Sequence, residues 1–423
     1  MKKTIFLLTA FITTLVSAQE VTTFAGSTQG YTDGAGSAAQ FHLPYGVATD
    51  AAGNVYVGDQ NNHKIRKITP TGVVTTFAGS TQGSDDGIVT VAKFNNPHGV
   101  ATDAAGNVYV ADLLNHRIRK ITPSGVVSTF AGSSQGYADG PGASARFYSP
   151  TGVATDGSGN VYVADYNNNK IRKITSAGVV STLAGSIYGF AEGTGASAQF
   201  RNPTGVATDA LGNVYVADYY NDRIRKITPA GVVTTLAGSG PALGSSDGIG
   251  EAAKFYRPIA LTTDETGNVY VSDTLGQKIR KVTPTGVVTT LAGNGSSGST
   301  DGPGTTAKFN HPIGIATDAA GNIYIADATN HRIRKITQQL GVGQNELGPK
   351  IAIYPNPVTA KLTIQLENGG VLDKITITNL SGKIIGTQIQ NTAIVNVENL
   401  AQGIYILEVY SGEDKYVSKF VKE

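Results

Sequence analysis

The chain of 423 residues contains no cysteine and no tryptophan, and its 53 glycines far outnumber its single methionine. The lack of cysteine excludes disulfides, so the fold must be stabilised by burial and strand pairing, which a large β-protein provides without covalent links. Segments with helical periodicity are nearly absent. Together with the high glycine content, this predicts an all-β protein rich in turns.

The chain also lacks an excess of charge of one sign. It contains 33 Lys and Arg residues and 31 Asp and Glu residues, and its net charge is +2. Eighteen of the basic residues belong to six strands of the form K/R-I-R-K, and the same repeats contain 18 acidic residues. A ring that recruits nucleic acid needs an excess of positive charge. We therefore expect no nucleic-acid partner.

Long apolar runs are confined to the N-terminus. Lys2 and Lys3 precede an apolar stretch from Ile5 to Val16, and Val16-Ser17-Ala18 resembles a cleavage site. This pattern predicts a signal peptide over residues 1–18, because the stretch is too short for a membrane anchor. No later segment is apolar enough to cross a bilayer, so the mature chain is expected to lack a transmembrane segment.

The chain contains six copies of one sequence repeat, which consists of four motifs: P-x-G-V-A-T-D, G-N-V-Y-V-A-D, R-I-R-K-I-T and G-V-V-T-T-L-A-G. Its prolines are separated by 53, 53, 53, 55 and 54 residues, at Pro44, Pro97, Pro150, Pro203, Pro258 and Pro312. This period is typical of a four-stranded propeller blade. The last copy lacks its V-V-T-T-L-A-G strand, and the missing strand occurs at the start of the chain, over 21–26. We therefore predict a six-bladed β-propeller over 19–337, closed by the N-terminal strand.

Each copy is predicted to form strands a to d, which in the second copy are Gly99–Asp103, Asn107–Asp112, Arg117–Thr122 and Val126–Ala131. The connection from strand d to the next strand a ends in A-x-F. We expect its phenylalanines to fill the space between blades: Phe41, Phe94, Phe147, Phe200, Phe255 and Phe309.

The turns between strands b and c carry a family signature. They contain Asn62-His63, Asn115-His116 and Asn330-His331, each followed by K/R-I. These segments resemble the NHL repeat, although copies three to five depart from it at Asn169, Asp222 and Gly276-Gln277. The resemblance implies a six-bladed propeller and leaves activity open, because the family includes binding modules and enzymes.

The repeat stops before a linker predicted over 338–350, and short alternating strands follow. They predict a small antiparallel β-sandwich over 351–423. Its motifs Tyr354-Pro355-Asn356-Pro357, Asn379-Leu380-Ser381-Gly382-Lys383 and Leu400-Ala401-Gln402-Gly403-Ile404-Tyr405 resemble the sorting domain of the type IX secretion system. The resemblance implies contact with that machinery and release from, or display on, the outer surface of a Gram-negative bacterium. An ordinary adhesive β-domain is the alternative.

Candidate ligand-binding residues come from positions that the repeat leaves free. The d–a and b–c loops of an antiparallel blade lie at the same end, and the residues flanking each strand-a proline differ from copy to copy. Aromatic and polar side chains there suit a protein or carbohydrate ligand, although neutral drift in exposed loops would also produce such variety. The candidates are Tyr45, His98, Tyr148, Arg201, Tyr256 and Arg257. Apolar and aromatic b–c tips could contact a partner as well: Leu113, Leu114, Tyr166, Tyr219 and Tyr220.

The histidines fall into two groups. His63, His116 and His331 share one repeat position and are expected to stabilise turns. His42, His98 and His311 lie in blades that become neighbours on ring closure, and three imidazoles would suit Zn²⁺, although they stand at different offsets from the proline. We assign no catalytic residue and no cofactor. The sequence favours a secreted or surface-exposed, non-catalytic binding or scaffold propeller; the alternative is a metal-dependent lyase or hydrolase acting in the channel mouth.

Overall fold

Each repeat folds into one antiparallel sheet of five strands in the computed structural model of the chain, and there are six such sheets. The structure describes residues 19–241, 244–338, 351–366, 371–379, 384–388, 393–412 and 414–423. The predicted signal peptide and all but the first residue of the predicted linker lie outside these residues. Residues 19–338 and the described residues from 351 onward form separate compact units.

The strands of each propeller sheet are named a to d from the channel outward, and a two-residue strand e pairs with the outer edge of strand d. The a strands are Pro44–Thr49, Pro97–Thr102, Pro150–Thr155, Pro203–Thr208, Pro258–Thr263 and Pro312–Thr317. The b strands are Val55–Asp59, Val108–Asp112, Val161–Asp165, Val214–Asp218, Val269–Asp273 and Ile323–Asp327. The c strands are Lys64–Ile68, Arg117–Ile121, Lys170–Ile174, Arg223–Ile227, Lys278–Val282 and Arg332–Gln338.

The d strands are Val73–Ala78, Val126–Ala131, Val179–Ala184, Val232–Ala237, Val287–Ala292 and Gln19–Ala25. The e strands are Gly34–Ala35, Gly87–Ile88, Gly140–Pro141, Gly193–Thr194, Gly248–Ile249 and Gly302–Pro303. Short 3₁₀ helices occupy the b–c and d–a connections: Gly36–Ala38, Gln60–Asn62, Leu113–Asn115, Tyr166–Asn168, Gly195–Ser197, Tyr219–Asn221, Gly250–Ala252 and Ala328–Asn330.

The N-terminal strand closes the ring as predicted. Gln19–Ala25 is strand d of blade 6, between Arg332–Gln338 and Gly302–Pro303. Its register places Val21 opposite Ile336 and shifts between Thr23 and Ala25, which is the irregularity that every other c–d pair shows at the same place. The first and last repeats therefore form one complete sheet.

The A-x-F phenylalanines fill the spaces between blades, which confirms the prediction. All six rings are fully buried. Phe147, for example, packs in one cluster with Tyr109 of blade 2 and Val163 of blade 3. Each blade is thus sandwiched between two neighbours.

The charges of the repeat are largely neutralised inside the blades. In blade 3 the fully buried Arg172 reaches Asp165 at 2.7 Å and Asp139 at 2.5 Å, while its guanidinium lies 5.1 Å from the centre of the Phe147 ring. Arg66, Arg119, Arg280 and Arg334 repeat this arrangement. A buried guanidinium requires such partners, because an unpaired buried charge is strongly destabilising.

The channel is narrow because the innermost strands approach closely. A Cβ atom added at Gly152 would lie 2.4 Å from the Thr204 carbonyl oxygen of the next blade, so glycine permits this close contact. Five blades carry glycine at this position, and blade 5 carries Ala260. At the far ends of the same strands, each threonine hydroxyl donates to the threonine carbonyl of the preceding blade. These bonds form a closed circle through Thr49, Thr102, Thr155, Thr208, Thr263 and Thr317.

The C-terminal unit consists of two antiparallel sheets. One contains Ile351–Tyr354, Lys361–Leu366 and Ile394–Asn396; the other contains Ile384–Gln388, Lys374–Asn379, Gly403–Ser411 and Asp414–Lys422. Inward-facing side chains of both sheets, including Leu362, Ile364, Leu407 and Phe420, share one buried core. This is the predicted small β-sandwich, with two strands that the sequence pattern did not indicate.

Candidate ligand site at the mouth of the channel

The b–c turns and d–a loops meet at one end of the propeller, where backbone hydrogen bonds join them. The Asn61 N–H donates to the His42 carbonyl, and the Tyr220 N–H donates to the Arg201 carbonyl at 3.1 Å. The residue that follows each strand-a proline therefore lies beside the turns that surround the channel.

A cavity of about 280 Å³ opens at this end. Its lining combines aromatic, aliphatic, hydroxyl and amide groups and contains no charged side chain: Tyr45, His98, Leu113, Ser149, Thr151, Tyr166, Asn167, Thr204, Tyr219 and Ile259. Apolar walls with a few polar groups are typical of small-molecule sites. The lining favours an uncharged group with both hydroxyls and an apolar face.

The asymmetry of the cavity comes mainly from one repeat position. The residue after the strand-a proline is aromatic in blades 1 and 2, threonine in blades 3 and 4, and isoleucine in blades 5 and 6: Tyr45, His98, Thr151, Thr204, Ile259 and Ile313. The hydroxyl hydrogens of Thr151 and Thr204 are directed to the carbonyls of Thr204 and Ile259, both at 2.8 Å. The threonine oxygens therefore serve the cavity as acceptors.

Tyr45 and His98 form a stacked pair on one wall. Their ring centres are 3.7 Å apart and their planes differ by 17°. His98 is only 7% exposed, and neither ring nitrogen has a hydrogen-bond partner among the described residues. Because burial penalises the imidazolium form, the pKa of His98 falls to about 3. Burial also raises the pKa of Tyr45, helped by Tyr219 and Tyr166, so this wall is uncharged at neutral pH.

The opposite wall is formed by the b–c tips of blades 3 and 4. Tyr166 and Tyr219 line the cavity, and the Tyr219 ring packs edge-on against Tyr220 at 4.7 Å. Burial raises the pKa of Tyr166, and the nearby Tyr220 raises it further. These phenols therefore remain protonated and act as neutral hydrogen-bonding groups.

Five of the predicted ligand residues line the cavity: Tyr45, His98, Leu113, Tyr166 and Tyr219. The other predicted residues lie outside its lining. Leu114 is 48% exposed, and Tyr148 packs edge-on against His116 at 5.9 Å. Tyr256 lies in the d–a loop before strand a of blade 5, where its N–H donates to Asp273. Arg201, Arg257 and Tyr220 form a separate cluster on blades 4 and 5, described below. Thr151, Thr204 and Ile259 also line the cavity. They belong to the proline-flanking positions that the sequence places at the mouth, although the shorter list of ligand candidates does not include them.

The structure does not bring the three metal candidates together. His42 lies beside Asn61 and packs against His331, with ring centres 5.9 Å apart; His311 contacts Asn310 and Thr329; and His98 is stacked on Tyr45. Over the described ranges, no group of three His, Asp or Glu side chains is placed to hold a metal ion. His42, His98 and His311 therefore do not form the metal site considered for a lyase or hydrolase.

The signature histidines have a structural role that the sequence only partly indicated. Each accepts, through Nδ1, a hydrogen bond from the backbone N–H that precedes the strand-a proline of the next blade; Asn96 N–H to His63 is 3.2 Å. Asn169, Asp222 and Gln277 make the same bond with side-chain oxygens. We call these six bonds the interblade latch. It explains the departures from the signature, because the position requires an acceptor rather than a histidine.

Two family models match the chain. The model described as "NHL repeat" matches residues 94–121, 147–174, 200–227 and 309–336, and the model described as "Secretion system C-terminal sorting domain" matches residues 352–423. The second match indicates export by the type IX system to the cell surface or the extracellular space. Among the described residues, no helix is long and apolar enough to cross a membrane.

The chain is similar in sequence to curated proteins. Protein SUPPRESSOR OF QUENCHING 1, chloroplastic, from Arabidopsis thaliana is 30% identical over 71% of this chain and 30% of its own length. NHL repeat-containing protein 2 from Homo sapiens is 29% identical over 66% of this chain and 44% of its own length. The chain thus spans less than half of these relatives.

Solved structures share the fold. A protein of unknown function from Bacteroides thetaiotaomicron is 24% identical with a TM-score of 0.61, and the match covers 76% of each chain. A protein described as an auxiliary nutrient binding protein from the same species is 20% identical with a TM-score of 0.58, covering 75% of this chain and 76% of its own. These similarities support the fold, and the two family matches, taken with the six closed sheets, identify the chain as an NHL-repeat β-propeller protein with a C-terminal sorting domain of the type IX secretion system.

Proposed function

We propose that this protein is an exported binding protein whose ligand occupies the cavity at the mouth of the propeller. One observation carries the proposal: the strand-a sequence is nearly the same in all six copies, whereas its residue after the proline differs in pairs and shapes the cavity wall. A fold that needed only stability would require no such asymmetry.

The cavity chemistry supports binding of an uncharged, hydroxylated ring. Tyrosine faces provide flat apolar area, and phenol, hydroxyl and amide groups provide hydrogen bonds. The cavity lining contains no carboxylate, whereas general acid–base hydrolysis of a glycoside commonly uses a pair of them. Binding without turnover is therefore the function that this lining supports best.

The proposal is tested by probing a glycan and peptide array with residues 19–423 and repeating the assay with a cavity variant. Tyr166→Gln combined with Tyr219→Gln introduces the residue that blade 1 carries at this position, Gln60, and so preserves the turn. We expect the variant to lose the wild-type signal by about tenfold or more, since stacking on an aromatic side chain contributes about 1–3 kcal/mol in comparable sites.

The matched control is Leu211→Ala, which changes an 80% exposed side chain in an a–b turn at the other end of the propeller to the residue of blade 2, Ala105. This variant should keep the full signal. A wild-type signal that survives in the double tyrosine variant would contradict the proposal.

A further inference from the structure

Beside the cavity, two arginines are held against aromatic rings. The Arg201 guanidinium lies 4.9 Å from the centre of the Tyr188 ring and 5.8 Å from that of Tyr220. The Arg257 guanidinium lies 4.6 Å from the Tyr220 ring and 5.5 Å from that of Tyr219. Both cations are therefore positioned around Tyr220 before any ligand arrives.

The cluster carries more positive than negative charge. Arg201 bonds the Tyr188 hydroxyl through Nε and has no carboxylate at ion-pair distance among the described residues. Arg257 has a single acidic neighbour, Asp222, at 3.3 Å. Two guanidinium groups thus share one carboxylate, and the outer nitrogens of Arg201 are free to donate to an anion.

The cluster is continuous with the cavity. Tyr219 lines the cavity and contacts both Tyr220 and Arg257. A ligand that occupies the mouth and continues outward over blades 4 and 5 therefore passes directly from uncharged aromatic walls to the two arginines.

A basic residue of every blade lies next to the b–c turns at the mouth end of the propeller. The first residue of every c strand follows the b–c turn and is basic: Lys64, Arg117, Lys170, Arg223, Lys278 and Arg332. Within the described part of the chain, only Arg223 of this set has an acidic partner, Glu251 at 2.8 Å. The near-zero net charge of the chain does not reveal these six cations, which would attract an anionic ligand.

We propose that the ligand is an anionic oligosaccharide, with an uncharged sugar unit in the cavity and a neighbouring carboxylate-bearing unit bound by Arg201 and Arg257. This inference rests on the proposed function and specifies its ligand. A nucleic acid fits less well, because it carries a charge on every unit whereas the cavity walls are uncharged.

The test uses isothermal titration of residues 19–423 with two probes. One is a hexasaccharide of alternating glucuronic acid and N-acetylglucosamine, and the other is the same hexasaccharide with its carboxyl groups reduced to alcohols. We expect the acidic probe to bind at least about tenfold more tightly at low salt and to lose this advantage as salt rises. Arg201→Gln combined with Arg257→Gln should remove the advantage, so that the variant binds the acidic and the reduced probe with equal affinity.

The matched control is Arg146→Gln, which removes an exposed arginine from the d–a loop of blade 3 and should change neither affinity. Failure of the acidic probe to bind, equal affinity for the two probes, an acidic preference that survives the double arginine variant, or tighter binding of decathymidylate would each overturn the inference. If the probes bind equally and Tyr166→Gln with Tyr219→Gln abolishes both, the proposed function stands and the acidic ligand does not. If that tyrosine variant leaves the affinity for a bound probe unchanged, the proposed function itself is contradicted.

Discussion

At the scale of single residues, the interblade latch shows how one hydrogen bond accommodates four side-chain types. The acceptor residue and the donor residue both have left-handed backbone conformations, such as φ 54° at His63 and 56° at Asn96. Asparagine tolerates this conformation well and carries an acceptor at similar reach, so blade 3 uses Asn169 where blades 1, 2 and 6 use histidine. Only the histidine latches, however, can be switched off by protonation.

The latch predicts a pH dependence of stability. Burial is the main cause that lowers the pKa of His63, His116 and His331 below the ordinary value of 6.5. Their neutral forms therefore stabilise the native state fully above pH 6.5, and this contribution is lost as the pH falls through their lower native pKa values. We expect the melting temperature of wild type, relative to the variant with all three changed to Asn, to decrease between pH 7.5 and pH 5.

All other titrating groups are common to the two proteins, so the comparison isolates the three imidazoles. Differential scanning calorimetry at both pH values provides the measurement. Parallel pH profiles for wild type and variant would show that protonation does not break the latch.

At the scale of elements, the N-terminal strand is the piece whose loss should matter most. Val21 and Ala25 are fully buried, and the backbone of Gln19–Ala25 pairs with strands on both sides. Deleting 19–26 would expose the apolar edge of blade 6 and break several backbone bonds, each contributing about 0.5–1.5 kcal/mol. We expect the melting temperature of the propeller to drop by about 10 °C or more.

A second variant separates pairing from chain length. Val21→Lys keeps the strand but places a charge in its buried position, so it should also lower the melting temperature. Thr22→Lys, on the exposed side of the same strand, should have little effect. An unchanged transition for Val21→Lys would argue against a closed ring.

The strands themselves were largely predictable, because the same strand pattern occurs in six copies along the sequence. In blade 2 the predicted boundaries lie within two residues of those observed. The e strands were missed, since two residues carry no periodic signal. Strand a also starts earlier than predicted, at its proline, which is tolerated because the bulge after Pro97 interrupts the pairing with strand b.

The site was less predictable than the fold. The repeat identified the free positions, and these include Thr151, Thr204 and Ile259. It could not show which of the free positions line one cavity, because that depends on how the six blades meet at the channel. The six basic residues near the mouth were also hidden in the net charge of the chain. Their location depends on which end of strand c each cation occupies, and many of the acids that balance the net charge pair with Arg172 and its equivalents inside the blades. Neither property can be read from composition.

At the scale of the whole molecule, the propeller and the sorting domain are two units with separate hydrophobic cores. The residues proposed to bind the ligand belong to the first unit, and the match to a secretion sorting domain belongs to the second. Binding and export should therefore be separable by mutation, which would not hold if a shared core supported both.

Removal of residues 351–423 tests this separation. In a Gram-negative host with a type IX system, we expect the truncated chain to remain in the periplasm, while the full chain reaches the cell surface or the medium. Cell fractionation with an antibody to the propeller measures the distribution.

Leu407→Asp places a charge in the buried core of the sorting domain. This variant should reproduce the retention without shortening the chain, because a buried unpaired charge prevents that domain from folding. Val417→Asp, at an exposed position, is the matched control and should be exported normally.

The purified truncated propeller should keep the melting temperature and the ligand affinity of the full chain. A loss of either would mean that the two units depend on each other. Export of the truncated chain would show that residues 351–423 are not the sorting signal.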